Sequence, residues 1–277
     1  MQVALSSAEA ILALLPAFGP ILQRLMIVVA HPDDETMALG GQLWRMPDAL
    51  LLHVTDGAPR DGEDARRHGF AVLGDYAAAR QGELAAALIT GQAAGVRTAA
   101  IGLPDKEAVH SLTQLSRQLL QLMRQELPAA VLTHAYEGGH PDHDAAAFAV
   151  HAACRLLTAA DRPAIIEMPF YHLHDGEMVT GRFLPSSSRE ITVPLGKSEI
   201  RRKHLMAECF RTQREMLGYF DLSPERFRPA PAYDFREPPY FGTLLYETFG
   251  WGITGADWRK HAEKALVELG LSQPGCR

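Results

Sequence analysis

Five short apolar runs rich in branched residues recur along the chain, with helix-like segments between them. The first run, LMIVVA at 25–30, has no polar residue, which is typical of a strand buried on both faces of a sheet. The other four runs lie at 49–54, 96–102, 129–134 and 164–170. Strands that alternate with helices predict a doubly wound, mainly parallel α/β sheet of the Rossmann-like kind, with helices on both faces.

The intervening segments have helical spacing of apolar residues, and we expect helices at 35–44, 76–88, 111–125 and 144–157. After Pro169 the alternation stops. The pattern there predicts a hairpin of 177–183 with 189–193, a long helix at 198–217, a proline-rich loop at 224–239 and a helix at 258–269.

A chain of 277 residues suits a single α/β domain. Within it, we expect residues 1–170 to form the metal-binding sheet. Residues 171–277 would form a smaller C-terminal part, of hairpin and helix, that shapes the substrate pocket.

The formal charge of −6 argues against a nucleic-acid partner, which requires a basic face. The three cysteines are widely spaced, at 154, 209 and 276, and suggest neither a disulfide framework nor a thiolate metal site. Residues 8–22 are apolar, but two prolines interrupt them and no basic segment precedes them. We therefore expect a short packing helix there and a cytoplasmic protein without stable membrane insertion. The oligomeric state stays open.

Two similar motifs each follow a predicted strand. HPDDE at 31–35 comes directly after the first strand, and HPDHD at 140–144 comes a few residues after the fourth. In a sheet of order 3-2-1-4-5, strands one and four are neighbours where the order reverses, and ligands bind beyond their carboxyl ends. A single His-Pro-Asp is ordinarily only a helix N-terminus. The pair predicts a shared metal site in one crevice.

The residue types in these motifs suit a catalytic zinc ion, which commonly takes three protein ligands and a water molecule. We expect His31, Asp34 and His143 to be the ligands, although such a set could also hold Fe²⁺ or another divalent ion. Zinc makes water nucleophilic near neutral pH. Asp33, beside the ligands, could accept the proton of that water as general base.

The second motif has two further candidates for catalysis. His140 could stabilise the oxyanion or protonate the leaving nitrogen, and Asp142 could orient His140 through its other ring nitrogen. The combined scheme is amide hydrolysis by metal-activated water.

At these motifs the chain resembles the PIG-L/LmbE-like family of zinc-dependent de-N-acetylases. The matching text is AHPDDE at 30–35 and GGHPDHDAA at 138–146, with supporting matches at VTDGA (54–58), ARQGEL (79–84) and GLPD (102–105). The resemblance implies removal of an N-acyl group, in the first instance acetyl, from a small molecule that contains an amino sugar such as N-acetylglucosamine. It implies the same ligands, base and assisting residues as the chemistry above.

Several residues are candidates for substrate binding. Tyr136 and Glu137 precede the second motif, and the guanidinium groups of Arg80 and Arg60 could hold a carboxylate or phosphate. Arg80 could equally be a surface ion-pair partner. An aromatic stretch near the C-terminus could stack on a sugar or simply pack under a loop; its members are Tyr233, Phe235, Tyr240 and Phe241.

Three other functions stay open. The same chemistry would serve an amidase that removes a bulkier acyl group from an amino sugar or related amine. A Rossmann-like nucleotide-binding protein would need a glycine-rich turn after the first strand, where this chain has two aspartates. A non-catalytic scaffold or carbohydrate-binding protein could retain the motifs without activity.

Overall fold

The computed structural model describes residues 8–272, so Cys276 lies outside the described residues. The strands are β1 (Leu25–Val29), β2 (Leu50–Pro59), β3 (Arg97–Asp105), β4 (Ala130–His134), β5 (Ala164–Met168), β6 (Tyr171–His174), β7 (Glu177–Thr180), β8 (Ile191–Val193) and β9 (Glu225–Pro229). The helices are α1 (Ala8–Leu12), α2 (Asp34–Leu39), α3 (Glu63–Arg67), α4 (Leu73–Thr90), α5 (Leu112–Glu126), α6 (Pro141–Leu156), α7 (Lys197–Ala207), α8 (Arg214–Leu217) and α9 (Gly255–Glu268). Short 3₁₀ helices cover Leu43–Arg45, Ala108–Ser111, Arg211–Gln213 and Leu245–Phe249.

Seven strands form one sheet in the order β3-β2-β1-β4-β5-β9-β8. The pairs among β1 to β5 are parallel, and β9 and β8 extend the sheet in antiparallel fashion. The predicted α/β class and the order 3-2-1-4-5 are confirmed. In the register of the sheet, Ile27 lies opposite Leu51 on one side and Leu132 on the other.

The run at 25–30 is buried on both faces because the sheet separates two apolar cores. Ile27 and Val29 belong to one core, and Met26 and Val28 belong to the other. Alternate residues of a strand point to opposite faces, so a strand between two cores needs apolar residues throughout. Each fully buried side chain of this size contributes about 1.5–3 kcal/mol.

The predicted pairing after Pro169 was wrong. Residues 177–180 pair with β6, through a two-residue turn at Asp175 and Gly176 in which both residues have positive φ. Such Asp-Gly turns match the twist of a tight hairpin. β8 pairs instead with β9, which lies within the segment predicted as a proline-rich loop.

Other boundaries also differ from the prediction. The long helix predicted at 198–217 is broken, since α7 ends at Ala207 and a 3₁₀ turn precedes α8. β2 continues to Pro59, beyond the end of the predicted run at residue 54, and α3 follows it. None of the helices in the described part of the chain is long and apolar enough to cross a membrane.

A buried ion pair joins the C-terminal part to the sheet. The Lys203 ammonium, on α7, lies 2.9 Å from the Glu225 carboxylate on β9, and both side chains are buried. Glu225 also accepts a hydrogen bond of 2.8 Å from the Gly41 backbone N–H after α2. Residues beyond 170 therefore share the sheet and its contacts with the first half of the chain. The division at residue 170 stays a prediction.

Replacement of Lys203 would leave the buried Glu225 carboxylate without its cation. We expect Lys203→Ala to lower the free energy of unfolding by about 3–5 kcal/mol, as when one partner of a buried pair is removed. Urea unfolding followed by tryptophan fluorescence measures the change. Lys264→Ala is the control, because its exposed side chain is 3.8 Å from Glu268 on the surface of α9. Equal stability of the two variants would contradict a structural role for the buried pair.

Candidate metal centre and active site

The first motif leaves β1 at the carboxyl edge of the sheet. Asp34 is the first residue of α2, and its Oδ2 accepts a hydrogen bond of 2.7 Å from the His31 backbone N–H. The His31 Nδ1 lies 3.4 Å from the same oxygen. The turn therefore folds the imidazole and the carboxylate of one motif against each other.

The second motif meets the first across β1 and β4. His143 lies in the first turn of α6, and its Nε2 is 3.4 Å from Asp34 Oδ1. The rings of His31 and His143 are 5.3 Å apart. The sheet thus brings together the three residues predicted as metal ligands.

The hydrogen bonding of His143 is consistent with a metal ligand. Both ring nitrogens of His143 are buried, and neither has a hydrogen-bond partner among residues 8–272. Buried polar atoms ordinarily have partners, so such an orphaned ring is consistent with a metal ligand. Two overlapping buried sets have ligand atoms within 4.8 Å of one another, one of His31, His140 and His143, the other of Asp34, His134 and His143.

His134 was not predicted as a site residue. It ends β4, its Nε2 lies 3.3 Å from Asp34 Oδ2, and its ring stacks on that of His143 at 4.0 Å. The Ala30 backbone N–H donates to His134 Nε2 at 2.9 Å. Burial lowers the pKa of His134 to about 3, so the ring is neutral. Its place at the end of the strand beside β1 was the signal for its proximity.

Asp105 was also missed as a site residue, although GLPD at 102–105 was part of the resemblance. It ends β3, and its Oδ1 lies 3.1 Å from His31 Nε2 and 3.7 Å from His140 Nε2. Burial raises the pKa of Asp105, but the facing His31 lowers it further, so the net pKa lies below the ordinary value. A set of His31, Asp105, His140 and Asp142 is a second candidate for holding a cation.

Asp33 is held by Arg80. The buried guanidinium of Arg80 donates to Asp33 Oδ2 at 3.1 Å, to the Pro32 carbonyl at 3.0 Å and to the Gly57 carbonyl at 2.8 Å. Gly57 has a φ of 66°, and a Cβ there would come within 2.9 Å of the guanidinium. Burial raises the pKa of the Asp33 carboxyl and Arg80 opposes this, leaving the pKa above its ordinary value. The interpretation of Arg80 as a surface residue was wrong.

The backbone at Asp33 is strained, with φ 150° and ψ −27°. Non-glycine residues rarely occupy this region, and such strain persists only where neighbouring contacts enforce it. Glu35 supplies one such contact, because its Oε2 accepts the Asp33 backbone N–H at 3.1 Å and lies 3.0 Å from His53 Nε2. His53 is therefore a buried histidine with a hydrogen-bond partner on α2.

The second motif arranges His140 and Asp142 differently from the prediction. His140 caps α6, and its Nδ1 accepts the Asp142 backbone N–H at 3.1 Å. The ring proton of neutral His140 is therefore on Nε2. Burial and the neighbouring His31 lower the pKa of His140.

The carboxylate of Asp142 has other partners. It accepts backbone N–H groups from Lys106 at 2.6 Å and Ala108 at 3.0 Å, and it lies 3.3 Å from His31 Nε2. Its nearest approach to His140 Nδ1 is 3.9 Å. Asp142 therefore orients His140 through its backbone, while its carboxylate fixes the loop after β3.

Three residues predicted to bind substrate do not reach the cavity. Tyr136 is buried, donates to the Glu237 carbonyl at 3.0 Å and packs on Trp258. Glu137 Oε1 accepts the backbone N–H groups of Phe170 and Tyr171, at 2.7 and 3.1 Å. Arg60 pairs with Asp56 at 2.7 Å outside the cavity. Arg80 does line the cavity, but its guanidinium is bound to Asp33 and to backbone carbonyls.

A cavity of about 710 Å³ opens above the histidine–aspartate cluster. Its remaining walls combine an acidic rim, an apolar side and an aromatic side. The acidic rim includes Asp61, Glu63 and Asp64. The apolar side includes Met37, Met216, Leu217 and Phe220, and the aromatic side includes Phe249 and Trp251. Arg67 and Lys106 are cationic lining residues. The cluster is therefore accessible to a small molecule that enters the cavity.

A buried His/Asp cluster at the carboxyl edge of a parallel α/β sheet is typical of metal-dependent hydrolases. Residues 26–154 match the family model described as PIG-L, GlcNAc-PI de-N-acetylase. The match covers just under half of the chain, includes both motifs and confirms the resemblance in them.

Two curated proteins are similar to the chain. One is a 1D-myo-inositol 2-acetamido-2-deoxy-alpha-D-glucopyranoside deacetylase of Nakamurella multipartita, 28% identical over 87% of this chain and 95% of that protein. The other is a probable N-acetyl-alpha-D-glucosaminyl L-malate deacetylase 2 of Bacillus anthracis, 26% identical over 56% of this chain and 70% of that protein. Both relatives are deacetylases.

Solved structures share the fold. A zinc-inhibited form of the teicoplanin deacetylase Orf2 matches with a TM-score of 0.54 and 17% identity, over 76% of this chain and 99% of that chain. The A40926 pseudoaglycone deacetylase Dbv21 matches with a TM-score of 0.58 and 18% identity, over 77% and 99%.

The three clustered ligand candidates give a direct prediction about metal binding. We expect the dialysed wild type to retain about one zinc ion per chain and His143→Gln to lose it, because a three-ligand site loses a donor. Metal content by mass spectrometry measures both. His174→Gln is the control, since that exposed imidazole lies outside the cluster. Full zinc occupancy in folded His143→Gln would contradict the assignment.

Proposed function

We propose that the chain is a metal-dependent amide hydrolase that removes an N-acetyl group from a small molecule containing an amino sugar. The observation that carries this proposal is the convergence of His31, Asp34 and His143 with Asp33 at the floor of one cavity. The similarity to deacetylases supports the reaction. The two curated relatives are deacetylases of amino-sugar compounds, and this supports the substrate class.

Zinc is the proposed ion, with His31, Asp34 and His143 as ligands, and the donor set would also accept Fe²⁺. Zinc bound there would polarise the amide carbonyl and lower the pKa of water. Burial raises the pKa of Asp34, but the facing His143 and His134 lower it more, so the net pKa is well below the ordinary value. Asp34 is thus an anionic ligand at neutral pH.

Asp33 is the proposed general base. Its carboxylate lines the cavity, and Arg80 holds one of its oxygens. As water attacks the carbonyl carbon, the proton of that water passes to Asp33. A buried carboxyl with a raised pKa is a better proton acceptor than one in water, while the Arg80 charge favours its ionised form.

His140 is the proposed hydrogen-bond donor to the carbonyl oxygen of the amide. Its Nδ1 accepts a backbone hydrogen bond, so its Nε2 carries the proton and can donate to the developing oxyanion. When the carbon–nitrogen bond breaks, the leaving nitrogen takes the proton that Asp33 accepted from water, and Asp33 returns to its carboxylate form. The products are a carboxylic acid, which releases its proton to solvent, and a free amine.

An amidase for a bulkier acyl group is the second candidate. The cavity of about 710 Å³ has an apolar side that includes Met37, Leu217 and Phe220, and such a wall would accept a longer acyl chain. A cytoplasmic location and a two-part single domain stay proposals from the sequence.

The reaction is tested by free-amine release from a panel of N-acetylglucosaminyl compounds. We expect zinc-loaded wild type to release amine, and chelated protein to release none. Asp33→Asn should lower kcat by about 10²–10⁴-fold at unchanged zinc content, because an amide cannot accept the proton. Asp175→Asn, in an exposed turn, is the control. Undiminished kcat in Asp33→Asn would rule out Asp33 as the base.

N-Octanoylglucosamine in the same panel separates the two acyl classes. The proposal requires faster release from the N-acetyl compound. A strong preference for the long acyl chain would instead favour the second candidate.

Arg80 should matter for geometry as well as charge. Lysine keeps the positive charge but lacks the planar guanidinium group. It therefore cannot donate to Asp33, Pro32 and Gly57 at the same time in this geometry. We expect Arg80→Lys to lower kcat about tenfold to a hundredfold with zinc retained, because Asp33 is misplaced. Steady-state kinetics measure this, with Arg236→Lys at an exposed pair as control. Equal kcat in both variants would show that Asp33 does not depend on Arg80.

A further inference from the structure

The cavity wall beside His140 is aromatic. The Trp251 indole lies 4.9 Å from the His140 imidazole, measured between ring centroids, and the Phe249 ring lies 4.7 Å from that of Trp251. Phe249 is 44% exposed although it is a large apolar side chain. Both rings line the cavity. An aromatic pair of one exposed and one half-buried ring next to His140 is a feature that core packing does not explain.

A cation lies at the same wall. The Lys106 ammonium is 4.9 Å from the centroid of the Trp251 ring and 3.8 Å from Asp61 Oδ2 on the rim. The Lys106 backbone N–H donates to the Asp142 carboxylate at 2.6 Å, which ties this residue to the loop beside His140. The wall therefore combines flat apolar surfaces with polar groups at their edge.

The backbone around Trp251 is constrained by two glycines. Gly250 and Gly252 have φ of 69° and 75°, values that side-chain-bearing residues rarely adopt. A Cβ at either position would meet no atom within 4 Å, so the conformation rather than crowding explains the glycines. The backbone N–H of Leu245 donates to the Gly138 carbonyl at 2.9 Å, which joins this segment to the loop before the second motif.

A pyranose ring matches this wall chemically. Its faces carry C–H groups that pack on aromatic rings, and its edge carries hydroxyl groups that hydrogen-bond to charged side chains. An acyl chain has no such polar edge and fits the apolar side of the cavity better. The wall also adjoins His140, the residue proposed to act on the amide.

We propose that Phe249, Trp251 and Lys106 form a sugar subsite that binds the ring bearing the acylamino group. This inference rests on the proposed function and extends it, since it assigns the side of the cavity that the sugar occupies. With the ring against Trp251, its nitrogen substituent lies next to His140. The four aromatic residues named earlier as sugar candidates have other places. Tyr233 and Phe235 pack around Tyr136, and neither Tyr240 nor Phe241 lines the cavity.

The test compares Phe249→Ala and Trp251→Ala with Phe241→Ala. Phe241 is a matched control because it is 98% exposed and does not line the cavity. Each zinc-loaded variant is assayed on methyl N-acetylglucosaminide and on N-acetylethanolamine, which has the same amide and no ring. Calorimetry with methyl glucosaminide, the amine product, gives a readout of binding that is independent of turnover.

We expect Phe249→Ala and Trp251→Ala each to raise KM for the glucosaminide on the order of tenfold and to weaken product binding by a similar factor. The rate on N-acetylethanolamine should stay at the level of Phe241→Ala. If Trp251→Ala slows both substrates equally, Trp251 only positions His140 and its place in the subsite is refuted. Among the described residues, Phe249 has no ring contact with His140. Its place in the subsite is therefore tested by the KM of Phe249→Ala for the glucosaminide.

Failure of the subsite and failure of the proposed function give different results. If wild type cleaves the glucosaminide while all three variants share its KM and binding constant, the subsite is refuted and the hydrolase stands. If wild type with bound zinc releases amine from no compound in the panel and binds no glucosaminide, both are refuted.

Discussion

The parallel pairing of β1 with β4 is the constraint on which the site depends. Because Met26 to Val28 lie opposite Val131 to Thr133, both strands end at the same edge of the sheet. The two motifs, one after each strand, therefore leave the sheet side by side. A different strand order would separate His143 from Asp34, whatever the two motifs contained. Apolar residues on both faces of β1 hold this order, although they lie outside the chemistry.

The consequence of that pairing is a dense group of buried charges. Burial alone would neutralise such groups, so each carboxylate needs a compensating partner. Asp33 has Arg80, Asp34 faces His143 and His134, and Asp142 accepts two backbone N–H groups. The strained backbone of Asp33 adds a further energetic cost, which the contact from Glu35 helps to enforce. The rest of the fold must stabilise this arrangement.

The sequence was sufficient for the sheet and for the proximity of the two motifs, because both follow from periodicity and strand order. It was insufficient where contacts between residues distant in the chain determine the position of a side chain. Arg80 has the spacing of a surface helix residue, yet the turn at Gly57 and the motif at Asp33 enclose it. His134 ended a predicted strand and Asp105 closely followed another, both at the correct edge, and both could have been included on that ground. Trp251 had no local signal, since its position depends on two glycine turns and a contact with the second motif.

The pairing of strands in the C-terminal part could not be read from local patterns either. β9 joins β5 and β8 through residues separated by long stretches of chain, and its proline content favoured a loop. The same part of the chain supplies Phe249 and Trp251 to the cavity. Substrate choice would therefore depend on the segment whose fold is least evident from sequence, while the motifs define the chemistry.

The proposed chemistry requires a metal ion between the two motifs. The most direct measurement is an anomalous difference map from a zinc-soaked crystal, recorded on both sides of the zinc absorption edge. We expect a peak in contact with His31, Asp34 and His143 at distances of about 2.0–2.2 Å. A peak held instead by Asp105 and Asp142, or no peak at the cluster in zinc-saturated crystals, would contradict it.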